Sequence, residues 1–141
     1  MNKLRLECRN SLIMVRYSQN NQFRQERKDF SMSFKEIKPE ELNFNPFTRI
    51  GSDWMLLTAG TEDKFNTMTA SWGGAGVFWG KSAVTCYIRP QRYTKEFIDK
   101  EELFSVSFLK DGHRDALKLC GSVSGRDHDK IKETGLTPVF I

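Results

Sequence analysis

Ser82-Ala83-Val84-Thr85-Cys86-Tyr87-Ile88-Arg89-Pro90-Gln91-Arg92-Tyr93-Thr94 is the stretch whose reading decides the fold. Its first half sets Val84, Cys86 and Ile88 against Ala83, Thr85 and Tyr87, the two-residue period of a half-buried strand. Pro90 stops the strand, and Thr94 to Lys100 then reads as a short helix with Thr94 as its N-cap. The strand also removes a competing reading. Ala75-Gly76-Val77-Phe78-Trp79-Gly80-Lys81-Ser82 approximates a phosphate-binding loop. Such a loop needs a helix after it, so that free N–H groups face the phosphate. Here a strand follows, and no GxGxxG fingerprint occurs elsewhere in the chain.

Upstream of this stretch, Trp54-Met55-Leu56-Leu57-Thr58-Ala59 is a short apolar strand ended by Gly60, and Thr67 to Trp72 is a second. Gly73-Gly74-Ala75-Gly76 reads as a loop between strands. Residues 39–49 carry Pro39, Asn43, Asn45 and Pro46 and read as an irregular lead-in. Downstream, Leu103 to Leu109 alternates again, with Phe104, Val106 and Phe108 on one face. His113 to Leu119 reads as a helix stopped at Gly121, and Asp127 to Thr134 as another with Gly135 as its C-terminal cap. Pro138-Val139-Phe140-Ile141 opens a further strand. Strands in hairpin-like steps with small helices between them predict an antiparallel, mainly-β barrel.

Charge separates the chain into two parts. Residues 1–30 hold seven Lys and Arg against three acids, which accounts for the whole net charge of +4 and leaves fifteen charges of each sign in residues 31–141. A nucleic-acid-binding domain carries its basic patch itself, so the balanced domain is not expected to bind nucleic acid. Residues 1–31 read as a basic, disordered extension and residues 32–141 as the domain, because 18–30 are polar and aperiodic. No apolar run approaches the ~20 residues of a membrane span. Three widely spaced cysteines form neither a disulfide framework nor a zinc site, which points to a reducing cytoplasm.

Three stretches invite a chemical reading. Arg89-Pro90-Gln91-Arg92-Tyr93-Thr94 places two guanidinium groups at a helix start, where fixed-geometry donors and free N–H groups suit phosphate oxygens. A solvated turn with surface arginines fits the same residues. Asn66-Thr67-Met68-Thr69-Ala70-Ser71-Trp72-Gly73-Gly74 is small enough for a flat ligand to approach the backbone, with Trp72 as an apolar wall. On composition alone, a packed strand with a glycine hinge fits it better. Ser122 to Lys130 is a charge run that reads as a solvated loop, and His128 between Asp127 and Asp129 does not chelate, since adjacent side chains diverge. Neither histidine belongs to a Ser-His-Asp or Cys-His set.

Taken in order, Asn66-Thr67-Met68-Thr69-Ala70-Ser71-Trp72-Gly73, Arg89-Pro90-Gln91-Arg92-Tyr93-Thr94, and Cys120-Gly121-Ser122-Val123-Ser124-Gly125-Arg126-Asp127 with Asp129-Lys130 resemble the flavin reductase-like, flavoredoxin branch of FMN-binding split β-barrels. Met55-Leu56-Leu57-Thr58-Ala59-Gly60 is similar as well, and the resemblance runs from about Met32 to Ile141. It implies a split β-barrel with short helices that lacks its C-terminal strands here, since family members continue past the step at Thr137-Pro138. It implies a homodimer with FMN near the subunit interface. By the same resemblance, Met68, Thr69, Ala70, Ser71, Trp72 and Gly73 contact the isoalloxazine ring. Arg89, Arg92 and Thr94 lie near the ribityl phosphate, with Tyr93 among the cofactor-binding residues. NAD(P)H is the implied electron donor and no side chain need act as catalytic acid or base, because the chemistry is the flavin's. A flavin-bound electron carrier and a cofactor-free barrel used for protein association are the alternatives.

Overall fold

The computed structural model describes residues 4–7, 13–16, 38–101 and 103–140. Among them are eight strands: β1 (Leu4–Glu7), β2 (Ile13–Arg16), β3 (Met55–Gly60), β4 (Phe65–Ala70), β5 (Gly73–Phe78), β6 (Lys81–Cys86), β7 (Ser105–Phe108) and β8 (Thr137–Phe140). Three α-helices accompany them: α1 (Tyr93–Glu101), α2 (Arg114–Ser122) and α3 (Lys130–Thr134). A four-stranded sheet runs in the order β2-β7-β3-β4, and β5-β6 and β1-β8 form separate antiparallel pairs.

The mainly antiparallel character follows the sequence, but the described strands do not close into a barrel. Closure requires the end strands of a sheet to meet, whereas β2 and β4 stand at opposite ends of the four-stranded sheet. Leu4–Glu7 pairs with β8 and Ile13–Arg16 with β7, so two strands lie inside the span expected to be a disordered extension. The rest of residues 1–31, and the expected domain start at Met32, lie outside the described residues.

The central strand explains the unbroken run Met55-Leu56-Leu57. β3 lies between β7 and β4, and all three residues are fully buried. Met55 and Leu57 pack with Ile50, Met68, Ala70, Val106 and Phe108. Val84, Cys86, Ile88 and Phe104 close this cluster, as their alternation predicts. Leu56 points the other way, to Leu109, Leu117, Cys120 and Leu136. A strand covered on both faces must be apolar at consecutive positions, not at alternate ones.

Small hydroxyl residues sit beside these clusters. Thr58 Oγ1 donates to Thr67 Oγ1 at 2.9 Å across β3 and β4. Ser107 Oγ is buried and has no hydrogen-bond partner among the described residues. Before β3, Asn45 Oδ1 accepts from the Phe47 N–H at 3.0 Å at the start of a π-helical turn, Phe47–Asp53. The end of that turn is held by Arg114, which donates to Ser52 O at 2.7 Å with its guanidinium 3.4 Å above the Trp54 ring.

Several boundaries differ from expectation: the strand expected over Thr67 to Trp72 runs from Phe65 to Ala70. Gly73-Gly74-Ala75-Gly76, read as a loop, belongs to a strand, Gly73–Phe78, paired along its length with β6. Thr94 lies inside α1 and does not cap it, because its hydroxyl is taken by Asn66. α2 continues through Gly121 to Ser122. α3 begins three residues later than expected, because the Asp127 and His128 N–H groups both turn back to Ser124 O, leaving Asp129 as the cap that accepts from Lys132 N. Gly135 ends α3 in the left-handed conformation, φ 67°, as its position predicted.

Leu57→Ala opens a cavity at the sheet centre and is expected to cost about 2–5 kcal/mol. Ser107→Ala removes an orphaned hydroxyl and is expected to be neutral or stabilising by up to about 1–3 kcal/mol. Urea denaturation of the two variants checks both.

Candidate functional site

The outer side of β4 gathers the residues singled out by sequence. Among the described residues β4 has a strand neighbour, β3, on one side only, and it is bonded to all three helices, Asn66 and Thr69 doing so from opposite faces of the strand. Asn66 Nδ2 donates to the buried Thr94 hydroxyl of α1 at 2.9 Å. The Thr69 hydroxyl donates to Leu117 O of α2 at 2.5 Å. Lys130, the first residue of α3, donates from Nζ to Thr67 O at 2.9 Å and to Cys120 O at 3.0 Å.

Two glycines make these approaches possible. A Cβ on Gly125 would lie 2.0 Å from Asn66 Oδ1, so a side chain there displaces the amide that holds Thr94. A Cβ on Gly121 would sit 3.3 Å from Thr69 Cβ, so the end of α2 lies directly against β4.

The end of α2 also receives Arg92. Its guanidinium donates to Gly121 O at 2.8 Å and, more weakly, to Cys120 O at 3.5 Å. Carbonyls of a last helical turn lack intrahelical donors and carry the negative end of the helix dipole, so two cations on this turn are electrostatically well placed. Burial, and secondarily the charge of Arg89, pull the Arg92 guanidinium below its ordinary value. Burial likewise pulls Lys130 down; the neighbouring Cys120 opposes the shift and Arg92 adds to it. Among the described residues, Arg89, Arg92 and Lys130 form no ion pair with a carboxylate. Burial raises the thiols of Cys120 and Cys86, the latter to about 12, so neither is a ready nucleophile.

The structure divides the expected ring-contacting residues. Met68 and Ala70 turn their side chains into the core, leaving only backbone to offer. Thr69 is bonded to α2. Ser71 is half-buried, and Trp72 is 62% exposed. Gly73 starts β5 where a Cβ would lie 2.2 Å from Thr85 O, and Tyr87 N donates to Trp72 O at 3.1 Å, fixing this crossing. Among the expected phosphate residues, Arg89 is exposed, Arg92 is half-buried on α2, and Thr94 is fully buried against Asn66. The Tyr93 ring stands edge-on to Phe97 with centroids 5.0 Å apart and lies 4.4 Å beneath the Arg126 guanidinium. Arg126 also bonds Glu96, tying the 123–129 loop to α1.

Lys130 is the residue beside β4 whose burial sequence reasoning missed. In the run Arg126-Asp127-His128-Asp129-Lys130 it reads as a solvated charge, yet it is 5% exposed. A cleft of about 290 Å³ opens at the Phe65–Thr67 end of β4, with Tyr93, Gly125, His128 and Lys130 in its wall. It shares only Tyr93 with the expected cofactor-binding set. Beyond β4, the β5-β6 hairpin carries Val77, Phe78 and Trp79 into solvent, with Trp79 96% exposed. Among the described residues no three His, Cys, Asp or Glu side chains converge as metal ligands, and no helix is long and apolar enough to cross a membrane.

Comparison with protein families matches residues 47–141, about two thirds of the chain, to the flavin reductase like domain. Comparisons with curated proteins and with solved structures gave no match.

Gly125→Ala is expected to push the Asn66 amide off Thr94 and lower stability by about 1–3 kcal/mol. Gly51→Ala, where a Cβ meets nothing within 4 Å, is the matched control, expected within about 0.5 kcal/mol of the parent. Thermal unfolding of the two variants side by side is the check.

Proposed function

The chain belongs to the flavin reductase-like family, and we propose that it is an FMN-binding oxidoreductase, an NAD(P)H-dependent flavin reductase. Its flavin ring lies against residues 68–73 and its phosphate at the start of α1. The observation that carries this reading is the positive charge at Arg89 and Arg92, which form no ion pair among the described residues, while Glu96 in the first turn of α1 is taken up by Arg126. That positive charge stands at the N-terminus of a nine-residue helix, where a phosphate meets both side-chain donors and the positive end of the helix dipole.

The residues fit the group. Ser71, Trp72 and Gly73 are half-buried or exposed, and Trp72 offers an aromatic side chain there. Among the described residues, the Arg89 side chain has no hydrogen-bond or ion-pair partner to give up. Arg92 uses part of its five-donor fork on α2 and, being half-buried, keeps donors for solvent or an anion. Thr94, with its hydroxyl already bonded, holds α1 in place through Asn66. When bound, FMN supplies the redox chemistry, between a reduced nicotinamide and an electron acceptor not specified by these residues. The chain's own part is to bind the phosphate, to orient the ring on the β4–β5 crossing, and to hold positive charge nearby. No acid–base side chain is assigned.

The protein is proposed to act as a cytoplasmic homodimer built on a split-barrel domain beginning near residue 32. The hairpin supports the dimer: Val77, Phe78 and Trp79, with Tyr87 and Trp72 behind them, are exposed by 47–96%. Several large apolar side chains exposed on one hairpin favour an interaction surface there. A second copy would cover these residues next to the proposed flavin position.

The first test is the visible spectrum of the chain purified with FMN and freed of excess by gel filtration, followed by addition of NADH or NADPH. A flavin band that co-elutes with protein and bleaches with either donor supports the reading; a colourless protein that takes up no FMN overturns it. Arg89→Ala is expected to weaken FMN on the order of tenfold, the scale of one charged hydrogen bond, and to leave riboflavin, which has no phosphate, unchanged. Equal effects on the two flavins would remove the phosphate assignment. For the dimer, the double variant Phe78→Ser with Trp79→Ser is expected to elute as a folded monomer where the parent elutes as a dimer, measured by light scattering.

A further inference from the structure

We propose that Lys130 is a positioning residue for the flavin site, acting through the Thr67 and Cys120 carbonyls to fix the outer side of β4 against the end of α2. The inference rests on the flavin-binding reading above and adds to it a residue that touches no part of the proposed cofactor.

Lys130 lies in the first turn of α3, yet its ammonium is buried between two other elements. Its bond to Thr67 O, 2.9 Å, is made one residue before the 68–73 segment. Its bond to Cys120 O, 3.0 Å, is made to a carbonyl that Arg92 also approaches. The next residue, Gly121, lies against Thr69, whose hydroxyl bonds Leu117 O. Lys130 therefore sets the spacing between the strand proposed to carry the ring and the helix end that holds Arg92. Burying an ammonium is costly unless its protons are used, and Met or Leu would fill the space without that cost. The charge is explained by what it bonds: two backbone carbonyls on different elements, joined by one short bridge.

A phosphate ligand and a positioning residue differ in what their loss does. Loss of a phosphate ligand weakens FMN and spares riboflavin. Loss of the bridge shifts the ring-bearing strand and weakens both. General destabilisation weakens neither at temperatures well below unfolding.

The experiment compares the full-length parent with Lys130→Met, Lys130→Gln and a core control, Leu136→Ala. Each is confirmed folded by circular dichroism and titrated with FMN and with riboflavin, with the visible band of the bound flavin recorded. Lys130→Met is expected to weaken both flavins by the same factor, on the order of tenfold for a charged hydrogen bond lost, and to shift the bound-flavin band. Lys130→Gln, which retains a neutral donor, is expected to fall between the two, and it decides the matter should Lys130→Met not fold. Leu136→Ala is expected to lower the melting temperature without moving either affinity or the band. Unchanged affinities and band in both Lys130 variants would overturn the proposal and leave the flavin reading intact, as would a loss confined to FMN. A parent chain that binds neither flavin would overturn both.

Discussion

The molecule depends on how the outer side of β4 is covered. A strand at the end of a sheet leaves backbone donors and acceptors that must find partners or water. Among the described residues no further strand is hydrogen-bonded along that side. One of these groups, Thr67 O, is met by the first residue of α3, while the side chains of Asn66 and Thr69, on opposite faces of the strand, bond α1 and α2. The three helices are thereby fixed relative to one strand, and the start of α1, with its arginines, comes to lie beside the residues that lead into the β4–β5 crossing.

This arrangement concentrates positive charge. Arg92 and Lys130 converge on the last turn of α2, where helix carbonyls need donors. Helix capping accounts for part of that convergence and offsets some of the repulsion between the cations. Arg89 has no such carbonyl. The charge that remains is directed toward solvent at the helix start, and it is this residue of positive potential, more than any single contact, that makes an anionic cofactor a good complement to the site.

Much of the sheet was legible in the sequence because burial on one face imposes a period of two. Val84, Cys86 and Ile88, and Phe104, Val106 and Phe108, turn inward as their alternation requires. The run Met55-Leu56-Leu57 marks the strand buried on both faces, and Gly135 marks a helix end. What was not legible depends on partners distant in sequence. Gly73-Gly74-Ala75-Gly76 has weak strand propensity, and its pairing with β6 comes from backbone bonds; Gly73 is needed there because Thr85 O lies where a Cβ would be. Thr94 has the composition of a cap, but Asn66, 28 residues away, claims its hydroxyl. Lys130 sits in a run of charges that reads as solvated, and only the fold reveals the two carbonyls that draw it inside. The family was legible from the order of three short motifs, none of which is specific alone.

The distribution of the three tryptophans has a practical consequence. Trp54 is half-buried beneath the Arg114 guanidinium, a cation close enough to perturb its emission, while Trp72 and Trp79 stand in solvent on either side of the β5 strand. Intrinsic fluorescence of this chain therefore reports on the core around Leu56 through Trp54, and on the hairpin and its root through Trp72 and Trp79. An emission change on adding a flavin or raising the concentration would register events at that surface while the sheet behind it stays folded, so the protein carries its own optical probe at the place where its proposed ligand and proposed partner meet.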